Sequence, residues 1–143
     1  MDKETVKLSV YGVLIDKNGR ILMQKRDNTC YASGFWSFPG GHVEAKESLK
    51  QAIQRELEEE VGVKIDLESF CCLTLCRKPE KDQRYVNFFY LVDKWEGEPS
   101  IQEAKASELA FVSPNDLPNP ILPYIKEALA LIHNKVGFHE SEY

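Results

Sequence analysis

Apolar positions along the chain follow two rhythms, one of period two and one near 3.6, and the order of those rhythms predicts the elements. Val6 to Ile15 is rich in β-branched and aromatic residues and reads as a strand. Asp16-Lys17-Asn18-Gly19 is a turn signal, after which Ile21-Leu22-Met23-Gln24 returns as a second strand. Asn28 to Gly34 is polar and turn-rich, and Phe35-Trp36-Ser37-Phe38 reads as a short strand with Trp36 and Phe38 in the core. Phe70 to Leu75 is an apolar run suited to a buried strand, Arg77 to Asp82 a charged loop, and Arg84 to Val92 a strong strand. Trp95 to Pro99 makes a turn, Ser100 to Ser107 is polar, and Leu109 to Val112 resumes a strand. Asn119 with Pro120 is expected to open the last helix, with Pro at its first position. Ile121, Ile125, Ala128, Leu129 and Ile132 form that helix's apolar face. Gly137 to Tyr143 reads as a flexible tail.

The central helix is predicted over Leu49–Val61. Ser48 is a good N-cap, Gln51 three residues on completes a capping box, and Gly62 follows the last turn. A rotation of about 100° per residue puts Leu49, Ala52, Ile53, Leu57 and Val61 on one stripe. Glu56 and Glu60 project from the middle of that stripe, with Glu59 on its shoulder. An acidic run on a helix is ordinarily a solvated face, which fits poorly here. Glu56 repels Glu60 at i,i+4 and Glu59 at i,i+3. Three consecutive glutamates, Glu58 to Glu60, also sit in the last turn, where the dipole disfavours anions. A half-buried carboxylate cluster needs a cation to offset desolvation and repulsion. All-oxygen ligands favour Mg²⁺, with Mn²⁺ as its substitute.

With 143 residues, of which 43% are hydrophobic, the chain is expected to form one domain with a real core. A net charge of −5 argues against a nucleic-acid polymer as partner, whereas a small phosphorylated ligand is compatible. The absence of a long apolar run or signal-peptide pattern leads to the expectation of a cytoplasmic protein that does not engage a membrane. Cys30, Cys71, Cys72 and Cys76 form no CxxC pair and read as reduced structural thiols, while His42, His133 and His139 read as surface groups.

Gly41, Glu47, Arg55-Glu56-Leu57, Glu59-Glu60 and Gly62-Val63 stand at the spacing of the Nudix box without a departure. The chain therefore resembles the Nudix hydrolases, closely over the box and more loosely from about Val6 to Ile132. The resemblance implies an α/β fold, an α/β/α sandwich with a mixed β-sheet, in a single domain over 1–136 with 137–143 as the tail. It implies hydrolysis of a nucleoside diphosphate linked to another group, with a divalent metal held by Glu56, Glu59, Glu60 and the carbonyl of Gly40. Glu56 is also a candidate for activating water, and Arg55 for orienting Glu56 or Glu47 as a supporting catalytic pair. In similar enzymes a basic residue at the position of Arg26 contacts phosphate. A further glutamate often comes from a facing loop; Glu103 is the best match, with Glu108 and Glu98 as competitors. The arrangement looks like that of the mutator-type nucleoside triphosphate pyrophosphatases, which release a monophosphate and pyrophosphate. The best-known of these places a base-reading Asn where this chain has Ile121, with Asn119 two residues earlier. ADP-ribose, a nucleotide sugar or a dinucleoside polyphosphate remain as other substrates, and a non-catalytic nucleotide sensor as another class. Similar proteins are often homodimers.

Overall fold

The computed structural model describes residues 3–29, 33–66, 71–78 and 82–141, with the side chains of Thr74 and Cys76 alone along 71–78. Strands β1 (Val6–Leu14), β2 (Ile21–Arg26), β3 (Trp36–Ser37) and β4 (Gly40–His42) precede helix α1 (Leu49–Val61). Strands β5 (Lys64–Ile65), β6 (Cys71–Lys78), β7 (Gln83–Val92), β8 (Trp95–Glu96) and β9 (Ala106–Val112) follow, then helix α2 (Pro123–His133) and strand β10 (Phe138–Glu140). A five-stranded sheet runs β10-β6-β7-β1-β4 and a three-stranded one β3-β2-β9, while β5 pairs with β8. The larger sheet is mixed, because β1 and β7 are parallel whereas β1–β4 and β6–β7 are antiparallel.

Period-two alternation assigns the residues of β1 and β2 to two cores. Val10, Leu14 and Leu22 pack with Ala52, Ile53, Leu57 and Val61 of α1. Val13, Ile21 and Met23 face the other way and pack with Phe38, Phe89 and the α2 residues Ile125 and Ala128. The sheets thus lie between two helices, in an α/β/α sandwich. Trp36 and Phe38 are both buried.

Helix α1 has the boundaries and caps its sequence encodes. Ser48 accepts from the Gln51 backbone N–H, the Gln51 side chain accepts from the Ser48 backbone, and Gly62 closes the helix in a left-handed conformation. Helix α2 differs from expectation. It begins at Pro123, with Leu122 as N-cap, rather than at Pro120. The reason is pairing: Trp36 N–H donates to the Pro120 carbonyl, and Leu122 N–H to the Trp36 carbonyl, so Pro120 to Leu122 are extended beside β3.

The expected flexible tail is also different, since Phe138–Glu140 forms β10 parallel to β6. Strand β6 would otherwise present an unpaired edge, and β10 occupies it. The turn Trp95–Pro99 begins with a short strand, where Ile65 is paired with Trp95. Cys76 is a buried free thiol; Cys30 and the side chains of Cys71 and Cys72 lie outside the described residues, as does Phe70. Among the described residues no helix is long and apolar enough to cross a membrane.

Candidate active site

Arg55 organises one side of the site. Its Nε and Nη2 donate to the two oxygens of Glu47 at 2.7 and 2.9 Å, the fork-to-fork pairing that suits guanidinium and carboxylate. Nη1 reaches Glu56 at 2.8 Å and Glu59 at 3.2 Å, and Nη2 also donates to the His42 carbonyl. These bonds, and the Glu44 backbone N–H, hold the Glu47 carboxyl down at about 2. The bonds to Glu47, then those to Glu56, push the Arg55 guanidinium further above its ordinary value. Arg55 therefore stays charged and fixes the rotamer of Glu56.

Glu56 and Glu60 point inward from α1, as the helical rotation requires. Burial raises the Glu56 carboxyl, against the pull of Arg55, and Glu59 and Glu103 add to the rise. Burial raises Glu60 to about 7, although the Gly40 N–H at 3.0 Å and the Gln24 amide at 3.1 Å both donate to it. Glu56 and Glu103 raise Glu60 further. Glu59 differs: it is 50% exposed and turned to Arg55.

The glycine turn makes this closeness sterically feasible. A Cβ on Gly41 would stand 2.6 Å from Glu56 Oε1, and one on Gly40 would stand 2.1 Å from the Val10 carbonyl oxygen. A side chain at Gly40 would meet backbone, and one at Gly41 would displace the Glu56 carboxylate.

The loop carrying Glu103 is tied to the end of α1. Ser100 N–H donates to the Val61 carbonyl at 3.0 Å and Gln102 N–H to the Glu60 carbonyl at 3.1 Å. These are carbonyls that a helix end leaves without helical partners. Glu103 is thereby carried close enough to raise both inward glutamates. Its own partner is Lys105 at 3.7 Å. Glu108 lies opposite Lys25 in the β2–β9 pair and bonds it at 3.8 Å, while Glu98 is exposed beyond the short β8 strand.

A cleft of about 480 Å³ opens over Glu56, Glu60 and Gly40, and both Arg26 and Lys105 line it. Arg26 stands at a register shift between β2 and β9. Among the described residues no three His, Cys, Asp or Glu side chains already converge on one point. The donor chemistry nonetheless fits a hard divalent cation. Burial and the neighbouring carboxylates, Glu103 of the loop among them, raise the proton affinity of Glu56 and Glu60, and a bound cation would offset that cost.

Gln24 and Lys105 were not singled out by sequence reasoning. Gln24 carried a signal, because it shares its face of β2 with buried Leu22, where a polar residue needs a buried partner. Lys105 carried none.

The NUDIX domain family model matches residues 5–132. The chain belongs to the Nudix family. It is 35% identical over 107 residues to an 8-oxo-dGTP diphosphatase of Proteus vulgaris, covering 75% of this chain and 91% of that one. It is 31% identical over 121 residues to an 8-oxo-dGTP diphosphatase of Escherichia coli K12, covering 80% and 92%. A MutT NUDIX hydrolase from Burkholderia pseudomallei superposes with a TM-score of 0.81 at 28% identity, over 89% of this chain and 98% of that one. The sandwich is thus the Nudix fold, of the MutT type. This Nudix hydrolase acts on phosphoanhydride bonds in nucleoside diphosphate derivatives. Hydrolases of this family work with a divalent metal.

Proposed function

We propose that the chain hydrolyses nucleoside or deoxynucleoside triphosphates to the monophosphate and pyrophosphate, with Mg²⁺ as metal and Mn²⁺ as substitute. One observation carries this reading: Glu56 and Glu60 line a single cleft whose lining also includes Arg26 and Lys105, with Glu103 near enough to act electrostatically on both glutamates. Carboxylates to hold a divalent cation and cations to receive a polyphosphate are what this reaction needs together. In this reading the ligands are the side chains of Glu56, Glu59 and Glu60 and the carbonyl of Gly40. The bound ion supplies positive charge toward the phosphate oxygens and lowers the pKa of water.

Arg26 and Lys105 bind and orient the phosphate chain, which aligns its bridging oxygen for departure. Water attacks a phosphorus of the α–β bridge, the bond to the bridging oxygen breaks, and the two phosphate products leave. Glu56 receives the proton of the attacking water. Its raised carboxyl affinity for protons supports that role, since a base works best when its pKa approaches the working pH. Glu47 and Arg55 hold Glu56 in place. Glu103, rather than Glu108 or Glu98, assists from the loop.

The test is product identification by chromatography after incubation with Mg²⁺. The panel holds nucleoside triphosphates, 8-oxo-dGTP, ADP-ribose, nucleotide sugars and dinucleoside polyphosphates. Oxidised guanine belongs in it because the relatives from P. vulgaris and E. coli are 8-oxo-dGTP diphosphatases. Monophosphate plus pyrophosphate from a triphosphate is the expected outcome. Two monophosphates from ADP-ribose, with triphosphates untouched, would overturn it.

A further inference from the structure

Gln24 is a polar side chain only 8% exposed, and it borders the cleft. It sits on β2, the middle strand of the three-stranded sheet, paired with Ser37 of β3 on one edge and Leu109 of β9 on the other. Pairing on both edges fixes its backbone, and Leu22 and Met23 just before it are buried, so the side chain stands on a rigid element. A buried amide needs a hydrogen-bond partner, and this one donates to Glu60 at 3.1 Å.

The oxygen it reaches is Oε2. The Gly40 N–H reaches the same oxygen at 3.0 Å, from β4 of the larger sheet, where Gly40 is itself paired with Tyr11. One donor thus comes from each sheet, and both converge on one atom. A carboxylate oxygen has two lone-pair directions, and two donors occupy both of them at Oε2. Glu60 is left with Oε1 to offer the cleft. Glu56 is held in the same sense, with Arg55 Nη1 on one of its oxygens at 2.8 Å.

Oxygen supply separates the hard cations. Ca²⁺ takes roughly six to eight oxygens in a loose shell and often gains them by gripping a carboxylate through both. Mg²⁺ takes about six in a strict octahedron, and is satisfied by single carboxylate oxygens completed by water and phosphate. A glutamate with one oxygen already engaged suits the second ion and starves the first.

We infer that Gln24 is a positioning residue that makes Glu60 a one-oxygen ligand, and that it thereby tilts the site toward Mg²⁺ and Mn²⁺ and against Ca²⁺. This inference rests on the proposed role of Glu60 as a metal ligand, and it is independent of which nucleotide is hydrolysed.

The test is calorimetric titration of Mg²⁺ and of Ca²⁺ into the protein without nucleotide, for the natural chain, Gln24→Met and Glu60→Gln. Met is unbranched, with three rotatable side-chain bonds like Gln, and has no N–H to donate. Gln24→Met should weaken Mg²⁺ by about 10-fold while Ca²⁺ binds as well as before or better, so that the ratio of the two dissociation constants moves by about 10-fold toward Ca²⁺. An unchanged ratio, whether both affinities stay or both fall together, overturns the inference and leaves Glu60 as a ligand. Glu60→Gln should lose affinity for both ions. If it binds them as well as the natural chain, the ligand role fails and the inference fails with it. Infrared difference spectroscopy on adding Mg²⁺ to the natural chain needs no substitution at Gln24. The carboxylate bands that vanish in Glu60→Gln should show the wide splitting of one-oxygen coordination, and the narrow splitting of a two-oxygen grip would overturn the inference.

Discussion

The two helices obey the same burial rule and end in opposite ways. Helix α2 buries Ile125 and Ala128, has no side-chain cap at its start, and carries His133 in its last turn, where a cation suits the dipole. Helix α1 starts with a complete capping box and closes on left-handed Gly62. Between these caps it places three glutamates near its C-terminus, with no basic residue in the last turn. Nothing in packing requires Glu56 or Glu60 to face inward, and burial raises both carboxyls. The strong caps, the Arg55–Glu47 pair and the apolar contacts of Ile53, Leu57 and Val61 offset that cost. The lesson is that α2 is built to hold the sandwich together, while α1 is stabilised at its ends so that its middle can carry a site.

Substitution on the two helices should separate these purposes. Glu56→Gln should lower kcat by about a thousand-fold, on the order of 4 kcal/mol in barrier, with the circular dichroism spectrum retained. Near-normal turnover would show that α1 is not the catalytic element. Ile125→Ala on α2 should do the reverse, removing about 2–5 kcal/mol of stability in denaturant titrations while leaving kcat per folded molecule unchanged.

Acidity sharpens the contrast within α1 and its neighbour. Glu60, raised from 4.5 to about 7, keeps its proton longer in the folded state than in the unfolded chain. Metal-free protein should therefore lose stability as pH rises from about 5 to about 7.5, by on the order of 3 kcal/mol. Glu60→Gln should flatten that slope in metal-free thermal melts. Glu47, held at about 2, acts with the opposite sign: its pairing with Arg55 stabilises fully above 4.5 and is lost as pH falls toward 2. Ser48→Ala, which removes only the cap, should cost about 1 kcal/mol with no change in pH profile.

Much of this was legible in the chain because its determinants are local. The α1 limits follow from Ser48, Gln51 and Gly62, and the inward turn of Glu56 and Glu60 from helical rotation alone. What escaped depends on contacts between distant segments. The start of α2 moved to Pro123 because Pro120 and Leu122 bond to Trp36, a partner some eighty residues away in sequence. The strand Phe138–Glu140 exists because β6 offers it an edge. The place of Glu103 is set by Ser100 and Gln102 bonding to the end of α1, which no pattern within the polar segment announces.

The most direct measurement is the melting temperature at pH 7.5, with and without millimolar Mg²⁺, for the natural chain and for Glu60→Gln. Mg²⁺ should raise Tm of the natural chain by several degrees, since binding to the folded state alone stabilises it. The variant should melt higher than the natural chain without metal and respond weakly to it. A natural chain indifferent to Mg²⁺, or a variant that melts lower and responds as strongly, would contradict a carboxylate cluster held apart from its charge until a cation arrives.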